Sequence, residues 1–336
     1  MFTIPKYFKI LEIKLFKNTF LTLGLFSGRI ILLNEETTNL CNQSADVNCQ
    51  EDTTKRTPLH YALYIKKKDL FEYLLQHGAD ITKTDHRGTT IIHRCCTIQD
   101  ASFLKAVLSF GRSLPRRLST HTPLSTAQAT TPLGTALQMG DGEGATPVIV
   151  ACQNGNLEQL TLLVEAGAPV SNKDKFQRCA LHHCVENPAT ECAEYLLRAI
   201  PSLLSCADEE GLTPLHMAVI AGNVPLVKLL LKRGANLKVV DNEKHTVVHW
   251  ATVCGHADVL DLLIENGADV SAPDKHQAFP IHYAAQMMSK RGSATDSASS
   301  GGEGSLHILK TLLKHKVPPE AEDKDKRTPI LWAASA

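Results

Sequence analysis

The sequence has no excess of either charge. Lys and Arg together number 35, and so do Asp and Glu, which gives a formal net charge of zero. Affinity for nucleic acid comes largely from Lys and Arg side chains that neutralise phosphates, and anionic membrane surfaces attract proteins in the same way. The balance therefore argues against both as partners.

The sequence also lacks a long apolar run. In the N-terminal segment the longest uncharged stretch, residues 18–28, is only eleven residues long, whereas a membrane-spanning helix needs about twenty apolar residues. We therefore expect no membrane insertion by this segment. For residues 1–45, an N-terminal extension, a degenerate capping helix is the favoured interpretation. A targeting segment is an alternative, although Glu12 interrupts the apolar stretch and no A-x-A-like cleavage site follows. The third interpretation is that these residues are foreign to the fold.

Motifs of catalysis and metal binding are missing as well. There is no G-x-x-x-x-G-K-[ST], no G-x-S-x-G and no H-E-x-x-H. The ten cysteines form no C-x-x-C pair, so we interpret them as small apolar core residues in a reducing compartment. Cys179, His182, His183 and Cys184 are the densest metal-like group, but neighbouring helical residues point about 100° apart, which favours packing over zinc. We predict a protein that is not an enzyme and has no cofactor.

What the sequence does contain is a repeat. Eight tetrapeptides related to T-P-L-H recur at spacings of 33, 56, 33, 34, 33, 33 and 49 residues. They begin at Thr57, Thr90, Thr146, Cys179, Thr213, Thr246, Phe279 and Thr328. The two long spacings equal one repeat plus an insertion, so we place inserts near residues 112–141 and 289–304.

Two further registers support the same frame. An Asp stands five residues before every tetrapeptide, at Asp52, Asp85, Asp141, Asp174, Asp208, Asp241, Asp274 and Asp323. A Gly-Ala pair closes most repeats, at Gly78, Gly167, Gly234 and Gly267. The Asp residues recur too regularly for catalytic carboxylates, and we assign them to turns. The glycines occur where a left-handed residue would end a helix.

This pattern resembles the ankyrin repeat, whose T-P-L-H-x-A signature is complete at residues 57–62 and 213–218. The resemblance implies an all-α solenoid of stacked helix pairs with projecting β-hairpins, in a domain of about eight repeats at residues 46–336. Thr is suited to cap the first helix and Pro to its first turn. The last repeat is truncated at Ala336, so we expect the natural protein to continue.

Departures from the family pattern predict local costs. Lys55, Gln177, Lys244, Gln277 and Lys326 occupy the turn position where the family usually has Gly, and a non-Gly residue at positive φ is strained. We expect these hairpins to be looser or differently shaped. Cys179 and Phe279 replace the capping Thr, at a cost of about 1 kcal/mol each. The inserts are expected to be tolerated loops, and R-R-x-S at 116–119 makes Ser119 a candidate phosphorylation site.

The resemblance also implies where partners bind, since the hairpin tips and the end of each first helix line the concave face in that family. Ile220, Val253 and Met287 place apolar side chains there on neighbouring repeats, which predicts an exposed interaction strip. Leu212 and His245 are added from the hairpin tips. Lys175, Phe176 and Arg178 place an aromatic residue between two cations, a composition found at binding hot spots. The alternative is that these side chains pack under the hairpins. Trp250 and Trp332 are expected in the core, each with an indole N–H that needs a partner.

These observations predict a monomeric cytoplasmic scaffold or adaptor that binds other proteins through the concave face. The H-W-A and L-W-A-A contexts of Trp250 and Trp332 are similar to those of inversin-type ankyrin proteins of cilia and polarity signalling, which extends the expectation to cilia or the cytoskeleton. The alternative is the cytoplasmic ankyrin arm of a larger membrane protein, such as a channel or an acyltransferase.

Overall fold

The computed structural model describes residues 23–26, 29–32, 46–113, 131–292, 301–315 and 317–336. The chain forms two units, one made of Met1–Ala151 with Asn156–Pro169, the other of Cys152–Gly155 with Val170–Ala336.

The first unit includes an antiparallel pair of short strands, β1 (Leu23–Phe26) and β2 (Arg29–Leu32), with Leu23 opposite Leu32. The expected capping helix is therefore wrong for these residues. Phe26, Ile30 and Ile31 are of residue types that suit strands. That this segment caps the array stays a prediction.

The first unit has seven described helices. They are α1 (Pro58–Tyr64), α2 (Lys68–Gln76), α3 (Ile91–Cys96), α4 (Ser102–Ser113), α5 (Pro132–Gln138), α6 (Pro147–Gln153, whose last two residues belong to the second unit) and α7 (Leu157–Glu165). Of these, α1, α3 and α6 begin at predicted tetrapeptides. At the start of α1 the Thr57 backbone N–H donates to Nδ1 of His60, and the two side chains lie 2.8 Å apart. Phe71 of α2 and Phe103 of α4 pack edge to face, 5.2 Å between ring centres.

The second unit repeats the same pairing. Its helices are α8 (Ala180–His183), α9 (Glu191–Ala199), α10 (Pro214–Ile220), α11 (Val224–Lys232), α12 (Val247–Cys254), α13 (Ala257–Glu265), α14 (Pro280–Gly292), α15 (Gly301–Lys314) and α16 (Pro329–Ala334), and short 3₁₀ turns follow α8 and α9. First helices α10, α12, α14 and α16 lie side by side, as do second helices α11, α13 and α15. Stacking buries Leu230 and Leu263 completely, because one repeat cannot cover its own apolar face. Gly234 and Gly267, both at φ 86°, end α11 and α13 as predicted.

The first insert contains more structure than expected. Residues 131–138 form the cap and body of α5, and the Thr131 hydroxyl accepts the Gly134 backbone N–H at 3.0 Å. Leu133 is buried, and a Cβ added at Gly111 of α4 would meet its side chain at 3.0 Å. The expectation of a loop is therefore wrong here, since T-P-L-x-x-A at 131–136 is itself a helix-starting pattern. Ser119 lies outside the described residues.

The second insert is shorter than predicted. Helix α14 continues to Gly292 and α15 begins at Gly301, so both ends of the 289–304 segment are helical. Each added helical residue gains one backbone hydrogen bond, and no proline occurs in this segment to stop either helix. Residues 293–300 lie outside the described part of the chain.

Four of the five hairpins without glycine keep the same turn as those with it. Lys244 has φ 64° and Gly211 has φ 83°, and each backbone N–H bonds back to the Asp three residues earlier, at 3.0 and 3.2 Å. Gln177, Gln277 and Lys326 also have positive φ and bond to the Asp three residues earlier, so the expectation of a different hairpin shape is wrong for these repeats. Lys55 has positive φ as well, but its N–H donates to the carbonyl of Glu51, four residues earlier, so the first hairpin does differ. The strained backbone conformation at these non-glycine residues therefore persists, because the other hydrogen bonds of each hairpin stabilise the turn.

We expect Lys244→Gly to stabilise the protein. A left-handed non-glycine residue costs about 1–2 kcal/mol, and the greater freedom of glycine in the unfolded chain offsets part of this. The expected gain in unfolding free energy is therefore up to about 1 kcal/mol, measured by urea denaturation. The control is Lys228→Gly, at an exposed helical position of α11, which is expected to lose about 1 kcal/mol. A loss in Lys244→Gly as well would contradict the strain.

Candidate functional site

An aspartate organises each hairpin of the second unit. Oδ1 of Asp241 accepts the backbone N–H groups of Glu243 and His245, at 3.0 and 2.8 Å. The same two contacts occur at Asp174, Asp208, Asp274 and Asp323, and in the first unit at Asp85 and Asp141. The assignment of these residues to the turns is thus confirmed.

The first repeat is an exception to this pattern. Asp52 is exposed, and the neighbouring Glu51 accepts the hydroxyls of Thr54 and Tyr61 instead. Asp therefore recurs at this position in every repeat of the sequence, but in the first repeat it does not make the hairpin contacts.

In the sixth, seventh and eighth repeats the second carboxylate oxygen of this aspartate, Oδ2, faces the first helix of its own repeat. There it accepts a side-chain donor nine residues later, from the fourth residue of that helix. The donors are the Trp250 indole to Asp241 at 3.1 Å, the Tyr283 hydroxyl to Asp274 at 2.7 Å and the Trp332 indole to Asp323 at 2.8 Å. The Trp residues thus have the predicted N–H partners, but both are half-buried rather than core residues.

These side chains form one surface, which we call the inner-helix face. Its first row holds the fourth residues of α10, α12, α14 and α16, namely Met217, Trp250, Tyr283 and Trp332, and its second row the seventh residues of the first three, Ile220, Val253 and Gln286. All seven are half-buried. Residues three apart on a helix are surface neighbours, so the two rows are adjacent. The rings of Tyr283 and Trp332 meet edge to face at 5.2 Å.

His245 connects two repeats beneath this face. Its Nδ1 lies 3.1 Å from Oδ2 of Asp241 and its Nε2 lies 3.3 Å from the hydroxyl of Tyr283. Its ring also lies 5.7 Å from that of Trp250. The side chain is 22% exposed, so the predicted hairpin-tip contact is mainly an internal link between the sixth and seventh repeats.

Two other predicted site residues need correction. Leu212 is only 5% exposed, because its side chain turns under the hairpin while its carbonyl accepts Nε2 of His182 at 3.0 Å. Met287 is the eighth residue of α14, in the register of Ala221 and Cys254, so it is rotated by about 100° from Ile220 and Val253, with which it was grouped. Both of those residues are half-buried rather than fully exposed.

The aromatic and cationic group on the fourth hairpin is present on the surface. Phe176 is 38% exposed and the guanidinium carbon of Arg178 lies 4.5 Å from its ring centre. Lys175 beside them is exposed. Nε of Arg178 also lies 3.5 Å from Oδ2 of Asp174, which ties this cation–π pair to the hairpin. Its use in binding stays a prediction.

Burial controls the titration of three tetrapeptide histidines. It lowers the pKa of His60, His216 and His249 to about 4, since a desolvated imidazolium is unfavourable. Burial also raises the pKa of Tyr283, and its hydrogen bond to Asp274 adds to this effect. The described residues contain no group of three or more His, Cys, Asp or Glu side chains placed to hold a metal ion.

Comparison with known proteins identifies this architecture. The family model for ankyrin repeats matches three times, at residues 30–115, 121–203 and 198–274. The chain belongs to the ankyrin-repeat family. The predicted all-α fold of stacked helix pairs is confirmed by this match and by a solved neighbour. The ankyrin repeat domain of Bcl-3, described as a member of the IkappaB protein family, aligns with a TM-score of 0.55 and 22% identity, over 74% of this chain and 95% of that domain.

Several curated ankyrin-repeat proteins are similar over part of their length. Human inversin is 31% identical over 198 residues, 54% of this chain and 19% of inversin. The human transient receptor potential cation channel subfamily A member 1 is 27% identical over 210 residues, 57% of this chain and 19% of the channel. The chicken nuclear factor NF-kappa-B p105 subunit is 26% identical over 196 residues, 58% of this chain and 18% of that subunit. The chain thus spans about a fifth of these relatives.

Sequence reasoning missed most of the first row of the inner-helix face in this ankyrin array. Met217 and Tyr283 were not proposed for the site, and Trp250 and Trp332 were assigned to the core. A signal was available, since a donor follows the hairpin Asp by nine residues in the second, fourth, sixth, seventh and eighth repeats. Among the described residues no helix is long and apolar enough to cross a bilayer.

Proposed function

We propose that this ankyrin array is a non-enzymatic scaffold that binds a partner protein through the inner-helix face. The observation that carries the proposal is the row of half-exposed rings of Trp250, Tyr283 and Trp332, each hydrogen-bonded to an aspartate below it. Trp and Tyr are enriched at binding hot spots.

The hydrogen bonds prepare these rings for binding. Asp241, Asp274 and Asp323 have side chains that are 6% or less exposed, so they act on a partner only through the donors that they hold. A side chain already fixed in one rotamer loses less entropy on association. The aspartates therefore contribute orientation, and the aromatic rings and the apolar Ile220 and Val253 contribute contact area.

Site-specific photo-crosslinking in cells tests this proposal. We expect a photoreactive residue at Val253 to capture a partner protein, identified by mass spectrometry, and one at Lys228, exposed on second helix α11, to capture none of it. With that partner purified, Trp250→Ala is expected to raise Kd about 30-fold, since a hot-spot residue contributes about 2 kcal/mol or more.

The matched control is Leu313→Ala, which removes an apolar side chain that is 43% exposed on second helix α15. It is expected to leave Kd unchanged. Circular dichroism establishes that each variant is folded. An equal yield of cross-links at Val253 and Lys228, or an unchanged Kd in folded Trp250→Ala, would place the partner elsewhere. The hairpin of Lys175, Phe176 and Arg178 and the segment around Ser119 are the next candidates.

A second candidate function is the cytoplasmic arm of a membrane protein, which the similarity to a cation channel favours. The two candidates differ in where the natural protein is found. A cytoplasmic, monomeric scaffold, including one at cilia or the cytoskeleton, is recovered without detergent, whereas the arm of a channel stays with membranes after an alkaline wash. Fractionation of cells that express the natural gene decides between them.

A further inference from the structure

His245 lies between two carboxylates that belong to neighbouring repeats. Its Nδ1 lies 3.1 Å from Oδ2 of Asp241, in the sixth hairpin. Its Nε2 lies 3.3 Å from the hydroxyl oxygen of Tyr283 and 3.7 Å from Oδ2 of Asp274, in the seventh hairpin. Both aspartates are buried, whereas the imidazole is partly exposed. The imidazole is therefore the member of this group that exchanges protons with the solvent most readily.

The hydrogen bond at Nδ1 requires a proton on that nitrogen. Asp241 accepts the backbone N–H groups of Glu243 and His245 through Oδ1, and the Trp250 indole N–H through Oδ2. Hydrogen bonds from several N–H groups stabilise the ionised form of a carboxylate, and an ionised carboxylate has no proton to donate. Nδ1 of His245 therefore donates to Oδ2 of Asp241.

The contact at Nε2 requires a second proton. The Tyr283 hydroxyl donates its single proton to Oδ2 of Asp274 at 2.7 Å. Burial and this hydrogen bond raise the pKa of Tyr283, so the hydroxyl keeps its proton at neutral pH. It therefore presents to His245 an oxygen that only accepts. Nε2 must donate as well, and an imidazole with protons on both nitrogens is an imidazolium.

We propose that His245 is an imidazolium in the folded protein at neutral pH, and that it forms a proton-dependent link between the sixth and seventh repeats. In this state it donates to Asp241 in one repeat and to Tyr283 in the next. A neutral imidazole has only one N–H to donate. If Nδ1 loses its proton, the bond to Asp241 is lost. If Nε2 loses its proton, the Tyr283 hydroxyl can donate to Nε2 or to Asp274, but not to both.

The charges around the ring favour the imidazolium. Asp241 and Asp274 face it from the two hairpins. The ring of His249, on α12, lies 5.6 Å away, and His216 lies on the adjacent α10. Both of these histidines are neutral at pH 7, because burial lowers the pKa of each to about 4. A cation at His245 is therefore stabilised by two anions and is not opposed by either histidine.

The link makes stability depend on pH. The folded state keeps a second proton on His245, whereas an imidazole in the unfolded chain releases it near its unperturbed pKa of about 6.5. The folded state then binds more protons, so the contribution of the link is lost as the pH rises. We expect the urea midpoint of the second unit to fall more between pH 7 and pH 9 in the wild type than in His245→Gln, which does not titrate. An equal fall in both proteins would overturn the proposal.

Long-range ¹H–¹⁵N NMR at pH 7 tests the proton count directly, because the shift of a ring nitrogen distinguishes its protonated form from its unprotonated form. The signals of His245 are those that disappear in His245→Gln. We expect both of its nitrogens to be protonated in more than half of the molecules, whereas His249 is expected to be protonated on Nε2 alone. A His245 with a single protonated nitrogen in the folded wild type would overturn the proposal.

Asp274→Asn is expected to reverse the chain of hydrogen bonds. Its amide oxygen still accepts the hairpin N–H groups that Oδ1 of Asp274 accepts, while its amide nitrogen donates to the Tyr283 oxygen. The hydroxyl then donates to Nε2, so we expect His245 to lose one protonated nitrogen at pH 7. The matched control is Asp208→Asn in the fifth hairpin, where the residue nine positions later is Met217, which has no donor. It is expected to leave both nitrogens protonated. No change in folded Asp274→Asn, or the same change in both variants, would contradict the proposed link.

Discussion

Lowering the pH from 7 to 4 is expected to remove several kcal/mol from the unfolding free energy of the second unit. His216 and His249 are each fully buried and act as reciprocal caps, with Nδ1 accepting the backbone N–H groups of Thr213 and Thr246 at 3.2 and 3.1 Å. An imidazole can accept a hydrogen bond through Nδ1 only while it is neutral, with its single N–H proton on Nε2. Protonation therefore breaks the cap as well as placing a charge in the core.

The direction follows from the two pKa values. Burial lowers the pKa of both histidines to about 4 in the folded protein, against about 6.5 in the unfolded chain. Between these values the unfolded state binds more protons than the folded state, so stability falls as the pH falls. The loss begins near pH 6.5 and is complete below about pH 4. It amounts to about 3 kcal/mol for each histidine at most.

Urea denaturation at a series of pH values between 7 and 4 measures this loss. Both tryptophans of the chain, Trp250 and Trp332, belong to the second unit, so their fluorescence reports its unfolding selectively. The control is His216→Gln, because Gln at this capping-box position still reaches back to the N-cap N–H but does not titrate. It is expected to be less stable at pH 7 and to lose about half as much on acidification. An equally steep loss in this variant would assign the pH dependence to other groups.

The repeat architecture could be predicted from sequence because its determinants are local. A Thr-Pro start, a His three residues after the Thr and a Gly after the second helix each specify one backbone feature within a few residues, and the array multiplies them. The same reasoning explains the helix that was missed in the first insert, because T-P-L-x-x-A at 131–136 was treated as part of a Ser/Thr/Pro-rich loop. At residues 23–26 and 29–32 the T-P-L-H pattern is absent, and strands occur where a helix was expected.

The candidate site was less predictable because side-chain exposure depends on contacts between repeats. Leu212 follows the hairpin tip in the sequence, yet its side chain is buried in the core. Met287 was grouped with Val253 in one apolar strip, but it is the eighth residue of its helix whereas Val253 is the seventh, so the two side chains point in different directions. The bond from Trp250 to Asp241 spans nine residues and exists only because the hairpin folds back over its own helix. The repeat spacing identified Asp241 and Trp250 in the sequence, but it did not predict the hydrogen bond between them.

Asp241→Ala is expected to lower the unfolding free energy of the second unit by about 3–4 kcal/mol, the largest effect of a single substitution that we predict. The carboxylate accepts the N–H groups of Glu243 and His245, the Trp250 indole and Nδ1 of His245. Alanine leaves these donors without their acceptor in a site where Asp241 is only 8% exposed. An unsatisfied buried donor costs about 1–3 kcal/mol, and solvent that enters near the hairpin offsets part of the sum. Urea denaturation followed by tryptophan fluorescence measures the change.

Two substitutions show whether the geometry, rather than the Asp itself, accounts for the loss. Asp52→Ala alters the same position of the repeat in the sequence, but Asp52 is exposed and Glu51 accepts the contacts there. Its expected cost is below about 0.5 kcal/mol, measured by circular dichroism because the first unit contains no tryptophan. Trp250→Phe keeps an aromatic ring but removes one hydrogen-bond donor from Asp241, and a loss of about 1 kcal/mol is expected. Equal losses in Asp241→Ala and Asp52→Ala would mean that the aspartates act through their position in the turn alone. The proposed orientation of the aromatic rings by their carboxylates would then lose its basis.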